Sequence, residues 1–149
     1  MNSKIKRIIN FSTAFGPSGM EDEVSSLAME DVKDICEVHD DTMRNTYMHF
    51  KQDKEHETTI LLDAHADEVG FIVQAIKPNG TIRFLPLGGW DPKNIVSGEV
   101  WILNDKGEKI SGIVASQPVH FLSEEKRNGK VDFDDLVIDV GATSATEVK

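Results

Sequence analysis

His65 and Asp67 are the residues whose types and spacing best suit chemistry in this chain. They follow the run Thr58-Thr59-Ile60-Leu61-Leu62-Asp63-Ala64, which is short, apolar and rich in strand formers. In an extended segment side chains alternate faces, so His65 and Asp67 are expected to point the same way. An imidazole beside a carboxylate at a strand end can bind a divalent metal and orient what sits on it. The spacing alone leaves a second reading open, in which His65 is a strand-end histidine hydrogen-bonded to a neighbour. Glu68 is expected on the opposite face. Asp63 shares the face of His65 and Asp67, either as a partner of the histidine or as a solvated strand residue.

Other residues with reactive side chains have simpler explanations. Ser18 stands three residues before Glu21, the spacing of a helix capping box, and no nearby histidine is placed to activate it as a nucleophile. His120, in Gln117-Pro118-Val119-His120-Phe121, can be a ligand, but a packed or loop-ordering histidine is favoured. His39, His49 and His56 lie in ordinary strand or hairpin positions and are assigned no role. Cys36 reads as a small buried hydrophobe. Gly88-Gly89-Trp90 is followed by neither a helix start nor Gly-Lys-Ser/Thr, which excludes a phosphate loop. Asp132-Phe133-Asp134-Asp135 lacks the glycine and spacing of a calcium loop and reads as a solvated face. No pair of carboxylates stands out as flanking a sugar cleft, which argues against a glycosidase.

The surrounding pattern says how the pair must be held. Ile5, Ile8 and Ile9 recur at helical spacing between Lys4 and Ala14, and Gly16-Pro17 is expected to end that helix. A second helix is expected after Ser18, with Asp22 and Glu23 favourable to its first turn and Val24, Leu27, Ala28 and Ile35 as its apolar stripe. Three strands should follow: Glu37–Asp40, then Thr46–Phe50 after a turn at Asp41–Asn45, then Thr58–Ala64 after a charged hairpin tip at Lys51–Glu57. Beyond Gly70 helix signals nearly vanish. Expected strands are Phe71–Ile76, Thr81–Leu85, Glu99–Leu103, Lys109–Val114 and Leu136–Val140. Turns at Pro78-Asn79-Gly80 and Asn104-Asp105-Lys106-Gly107 separate the first two pairs. Short strands at such intervals suggest a small barrel. The expected division is 1–67, part of an α/β layer, and 68–149, a barrel emerging from the strand that carries His65.

The bulk numbers narrow the classes of partner. The chain has 149 residues, with 39% hydrophobic and 28% charged, as expected of a soluble globular protein. Its net charge of −10 argues against nucleic acid and against an anionic membrane surface. No apolar run reaches the ~20 residues needed to span a bilayer, and no secretory signal follows the basic amino terminus. One cysteine excludes an intrachain disulfide and suits a reducing cytoplasm.

In order along the chain, several motifs resemble the amino-terminal part of the metal-dependent glutamyl/deblocking aminopeptidases, whose members are often also labelled endoglucanases. Phe15-Gly16-Pro17-Ser18-Gly19-Met20-Glu21 resembles the family's Gly-Pro-Ser-Gly-x-Glu, and Asp41-Thr42-Met43-Arg44-Asn45 its Asp-x-x-Gly-Asn. Ala64-His65-Ala66-Asp67-Glu68-Val69-Gly70 resembles Ala-His-Met-Asp-Glu-x-Gly. Leu87-Gly88-Gly89-Trp90, Pro118-Val119-His120 and Ile138-Asp139-Val140-Gly141-Ala142 continue the match. The resemblance implies an incomplete α/β/α metallopeptidase domain with an inserted small β-barrel that mediates homo-oligomerisation. It implies that His65 is a ligand of one of two divalent ions, zinc or cobalt, and that Asp67 is a catalytic residue orienting it. The implied reaction is removal of the amino-terminal residue of a peptide substrate.

Arg44 departs from the family's glycine, and Ala66 from its methionine. Family members are about twice this length, and their remaining ligands and general base match nothing here. Useful zinc affinity needs about three or four donors. The expectation is therefore a cytoplasmic aminopeptidase fragment, inactive by itself. The alternative is a non-catalytic oligomerisation or binding module derived from that family.

Overall fold

The computed structural model describes residues 2–51 and 58–148. It divides into two compact units, Met1–Glu68 and Val69–Lys149. Most of the expected hairpin tip, residues 52–57, lies outside the described residues.

The first unit begins with helix α1, Ser3–Thr13, whose first turn is capped by the Asn2 side chain accepting from the Lys4 amide at 2.9 Å. Helix α2 spans Asp22–Val32. It starts later than the capping-box reading requires. Pro17–Met20 forms a turn, with the Met20 amide donating to the Pro17 carbonyl at 2.8 Å and Gly19 at φ +88°. That left-handed position suits glycine. Glu21 is then the residue at the helix entrance, and its carboxylate accepts from the Gly19 amide at 2.6 Å rather than from a helical one. The capping role expected of Ser18 is therefore not formed. The helix also stops before Ile35, which is exposed.

Strands β1, Cys36–Asp40, and β2, Thr46–Phe50, pair antiparallel, with His39 opposite Tyr47. Asp41 organises their turn. Its carboxylate accepts from the amides of Met43 and Asn45 at 2.8 and 3.0 Å, from the Asn45 side chain at 2.8 Å and from the Tyr47 hydroxyl at 3.2 Å. Arg44 sits in this turn at φ +67°, which explains why glycine suits the position. Its guanidinium lies 2.9 Å from Asp22 and 3.6 Å from Glu21.

The expected third strand of this unit does not form. Residues 58–64 pair with no strand among the described residues, and Ile60, Leu61 and Leu62 are 83%, 84% and 90% exposed. Strand propensity describes a fit to a pleated, half-buried surface. Without a partner ladder this run remains irregular. The chain is caught again at Glu68, whose amide donates to the Gly16 carbonyl at 2.8 Å and which bridges Pro17 in parallel.

The second unit is built on one antiparallel sheet. Its strands are β3 (Gly70–Ile76), β4 (Ile82–Leu87), β5 (Glu99–Leu103), β6 (Lys109–Ser116) and β7 (Leu136–Asp139), in the order β3-β4-β7-β6-β5. Ile82, Phe84, Ile95, Val114, Leu136 and Ile138 form its buried core. Alternation along β4, β6 and β7 sends five of these side chains to one face, and Ile95 joins them from the connection between β4 and β5. Trp90 packs against the core, stacked on Phe71 at 5.0 Å, with its indole N–H donating to the Gly70 carbonyl at 3.0 Å. Among the described residues three short α-helices interrupt this half, in which helix signals nearly vanish: α3 (Pro92–Ile95), α4 (Glu124–Asn128) and α5 (Ala145–Val148). The expected solvated acidic cluster is partly paired, Asp134 with Arg83 and Asp135 with Lys126.

The hydrogen bonds from Asn45, with those from Met43 and Tyr47, hold the Asp41 carboxyl below its ordinary range. A lowered native value contributes stability above the ordinary aspartate range, and this stability is lost as pH falls through the native value. Thermal unfolding followed from pH 7 to strongly acid conditions should show this loss at its low-pH end, below about 3.9, the ordinary aspartate value. The acid dependence should weaken in Asp41→Asn, and an unchanged profile would contradict the role of Asp41 in the turn.

Candidate metal-ligand pair at the Ala64–Glu68 segment

The local fold around Glu68 determines where Asp67 and His65 stand. Gly16 and Pro17 are buried, and they meet Glu68 through three contacts. These are the Glu68 amide on the Gly16 carbonyl, the Gly16 amide on Glu68 Oε1 at 3.2 Å, and the parallel Pro17–Glu68 bridge. Glu68, expected only to face away from the pair, acts as the clamp that anchors it.

Flanking the bridge, the Ser18 hydroxyl donates to Asp67 Oδ2. The other oxygen, Oδ1, lies 3.0 Å from His65 Nδ1, which is also 2.9 Å from the Asp67 carbonyl oxygen. His65 and Asp67 thus come together, although the strand pleat that suggested their pairing is absent. The histidine folds back on the residue two positions later, and the clamp fixes that residue. Asp67 is held below the ordinary carboxyl range, first by the Ser18 hydroxyl and then by His65.

The imidazole is 85% exposed at the side chain, and no hydrogen bond among the described residues engages Nε2. A neutral ring with Nδ1 tied to a carboxylate and Nε2 bare is a common arrangement for a metal-binding histidine. Among the described residues no three or more histidine, cysteine or carboxylate side chains converge to hold an ion. The described residues therefore present one suitable donor and not a complete cage. No hydrogen bond or ion pair among them joins Asp63 to His65. His120 is exposed on a 3-10 turn and is not packed.

Sequence reasoning missed the link from Ser18 to Asp67, which are 49 positions apart. The signal available was Pro17-Ser18-Gly19, a tight-turn composition that competes with helix capping.

Residues 45–149 match the family model described as M42 glutamyl aminopeptidase. The lysyl aminopeptidase of Pyrococcus furiosus is 33% identical over 137 residues, which cover 90% of this chain and 38% of the relative. Among solved structures, a TET aminopeptidase from the marine sediment archaeon Thaumarchaeota archaeon SCGC AB-539-E09 superimposes with a TM-score of 0.91 at 34% identity. That match covers 99% of this chain and 41% of the other. The TET1 peptidase of Pyrococcus horikoshii, described as assembling into a tetrahedron or a large octahedral shell, gives 0.83 at 31% identity and covers 98% and 43%. The chain spans about two fifths of the length of these relatives. With its mixed α/β fold and its match across most of the sequence, the chain belongs to the M42 glutamyl aminopeptidase family.

Proposed function

We propose that this chain is the amino-terminal part of a metal-dependent aminopeptidase, with His65 as a metal ligand and Asp67 as the residue that orients it. The observation that carries this reading is the exposed imidazole with Nδ1 held by Asp67 and Nε2 bare. Residues 1–67 are read as the amino-terminal part of the α/β peptidase domain, and 68–149 as an inserted β-barrel oligomerisation domain. Zinc or cobalt suits an imidazole donor beside a carboxylate. His65, oriented by Asp67, would be one of the residues that hold such an ion, which would supply Lewis-acid polarisation of a peptide carbonyl and a more acidic water. Because the described residues supply one donor and not a cage, the other ligands have to come from elsewhere, and the isolated chain is read as inactive. The substrate is taken to be a peptide with a free amino terminus and the compartment the cytoplasm. Among the described residues no helix is long and apolar enough to cross a membrane.

A chimaera tests the ligand role. This chain replaces the corresponding 38% of the Pyrococcus furiosus lysyl aminopeptidase. The chimaera should hydrolyse an amino-acid p-nitroanilide with added cobalt or zinc and lose activity with a chelator. His65→Ala should lower its bound metal and its kcat. Asp67→Asn should cost about 10–100-fold in affinity or activity, as loss of a ligand's hydrogen-bond partner does. The isolated chain should show no turnover under the same conditions. Full metal content in the His65→Ala chimaera would contradict the assignment.

A second reading, an oligomerisation module without catalysis, is favoured by one surface. The face of the sheet opposite the core exposes Ile72, Leu85, Trp101 and Ile113. Ile72 pairs with Leu85, and Glu99 with Ile113. Apolar side chains gathered on one sheet face mark an interaction surface. Trp90 does not contribute to this face, because it packs against the core. Light scattering should give a mass above that of one chain, reduced by Trp101→Glu; a strict monomer would contradict self-association.

A further inference from the structure

We propose that Ser18 is the positioning residue that fixes the tautomer of His65, holding Nδ1 protonated and Nε2 bare. The argument starts from the acceptors around the ring. His65 Nδ1 faces two oxygens of Asp67, the main-chain carbonyl at 2.9 Å and Oδ1 at 3.0 Å. A carbonyl and an ionised carboxylate only accept, so Nδ1 must carry the proton. In the neutral ring the lone pair then lies on Nε2, which points to solvent and suits a metal.

Oδ1 can serve only while the carboxylate keeps its rotation, and Ser18 fixes that rotation. Its hydroxyl donates to Oδ2, which leaves the opposite oxygen for the ring. Donor and acceptor are each attached to a fixed backbone. Ser18 follows Pro17 and lies in the turn closed from Met20 to Pro17 at 2.8 Å. Asp67 precedes Glu68, and Pro17 and Glu68 form the parallel bridge. Among the described residues the Ser18 side chain has no other hydrogen-bond partner, and helix α2 begins at Asp22 without it.

This assignment rests on the metal-ligand reading of His65 and deepens it, but it can be measured without metal. The 15N-labelled full chain, held above the histidine titration range, gives the ring tautomer from long-range 1H–15N correlations. His65 is identified by the signal lost in His65→Gln. The wild type should show the Nδ1–H form. Ser18→Ala should move the population severalfold toward Nε2–H, the main-chain acceptor retaining part of the preference. Ser18→Thr, which restores a hydroxyl, should return it. Should the alanine variant lose its amide dispersion, Ser18→Cys keeps the volume with a weaker donor and should show the same shift. A tautomer unchanged in the folded alanine or cysteine variant, or an Nε2–H ring in the wild type, overturns the proposal. The two readings fail separately. Full metal content in a His65→Ala chimaera ends the ligand reading whatever the tautomer shows, while an unmoved tautomer ends the role of Ser18 alone.

Discussion

The candidate site depends on one short backbone ladder, in which Gly16 and Pro17 meet Glu68. It closes a chain segment of some fifty residues, and closing loops of that order costs several kcal/mol of chain entropy. Main-chain hydrogen bonds, the Glu68 carboxylate on the Gly16 amide and the burial of Gly16 and Pro17 offset that cost. Every polar contact of the pair depends on it. Ser18 is the next residue on one side and Asp67 the next on the other, so their side chains meet because their backbones are already joined. His65 then needs only two residues of chain to reach back to Asp67.

This arrangement explains how an exposed side chain can be ordered on a segment with little regular structure. Residues 58–67 form no strand, and the apolar side chains of Ile60, Leu61 and Leu62 stand in solvent. An imidazole on such a segment would ordinarily sample many orientations. Here its Nδ1 edge is tied to a residue anchored next door, while its Nε2 edge stays open. The same economy appears at Asp41, where a single carboxylate gathers four donors and orders the β1–β2 turn around the strained Arg44.

Sequence patterns conveyed what is decided locally. Asn79-Gly80 and Asn104 to Gly107 announce hairpins through residues that tolerate positive φ, and Gly80 and Gly107 adopt φ of +85° and +78°. The β1–β2 hairpin and β3 to β7 followed from period-two alternation between such turns. Long-range contacts were hidden. Ser18 satisfies a local capping rule, yet its hydroxyl is used by a residue 49 positions away. Thr58–Ala64 has strand composition, but a strand exists only when another edge receives it, and no described strand does. Glu68 looked like the residue facing away from the chemistry, although its main chain anchors the segment. The short helices at Glu124–Asn128 and Ala145–Val148 fall below the length at which periodicity is informative.

Membership of the M42 family rests on the match of residues 45–149 and on close superposition with TET peptidases. The role given to His65 rests on local geometry, and that geometry rests on the ladder. The most direct measurement is the scalar coupling transmitted across a hydrogen bond, between the Glu68 amide nitrogen and the Gly16 carbonyl carbon, 2.8 Å from donor to acceptor oxygen. The account predicts that this coupling is observed in the folded chain. Its absence, with the Glu68 amide exchanging as fast as those of residues 60–62, would contradict the account and leave His65 and Asp67 without a common anchor.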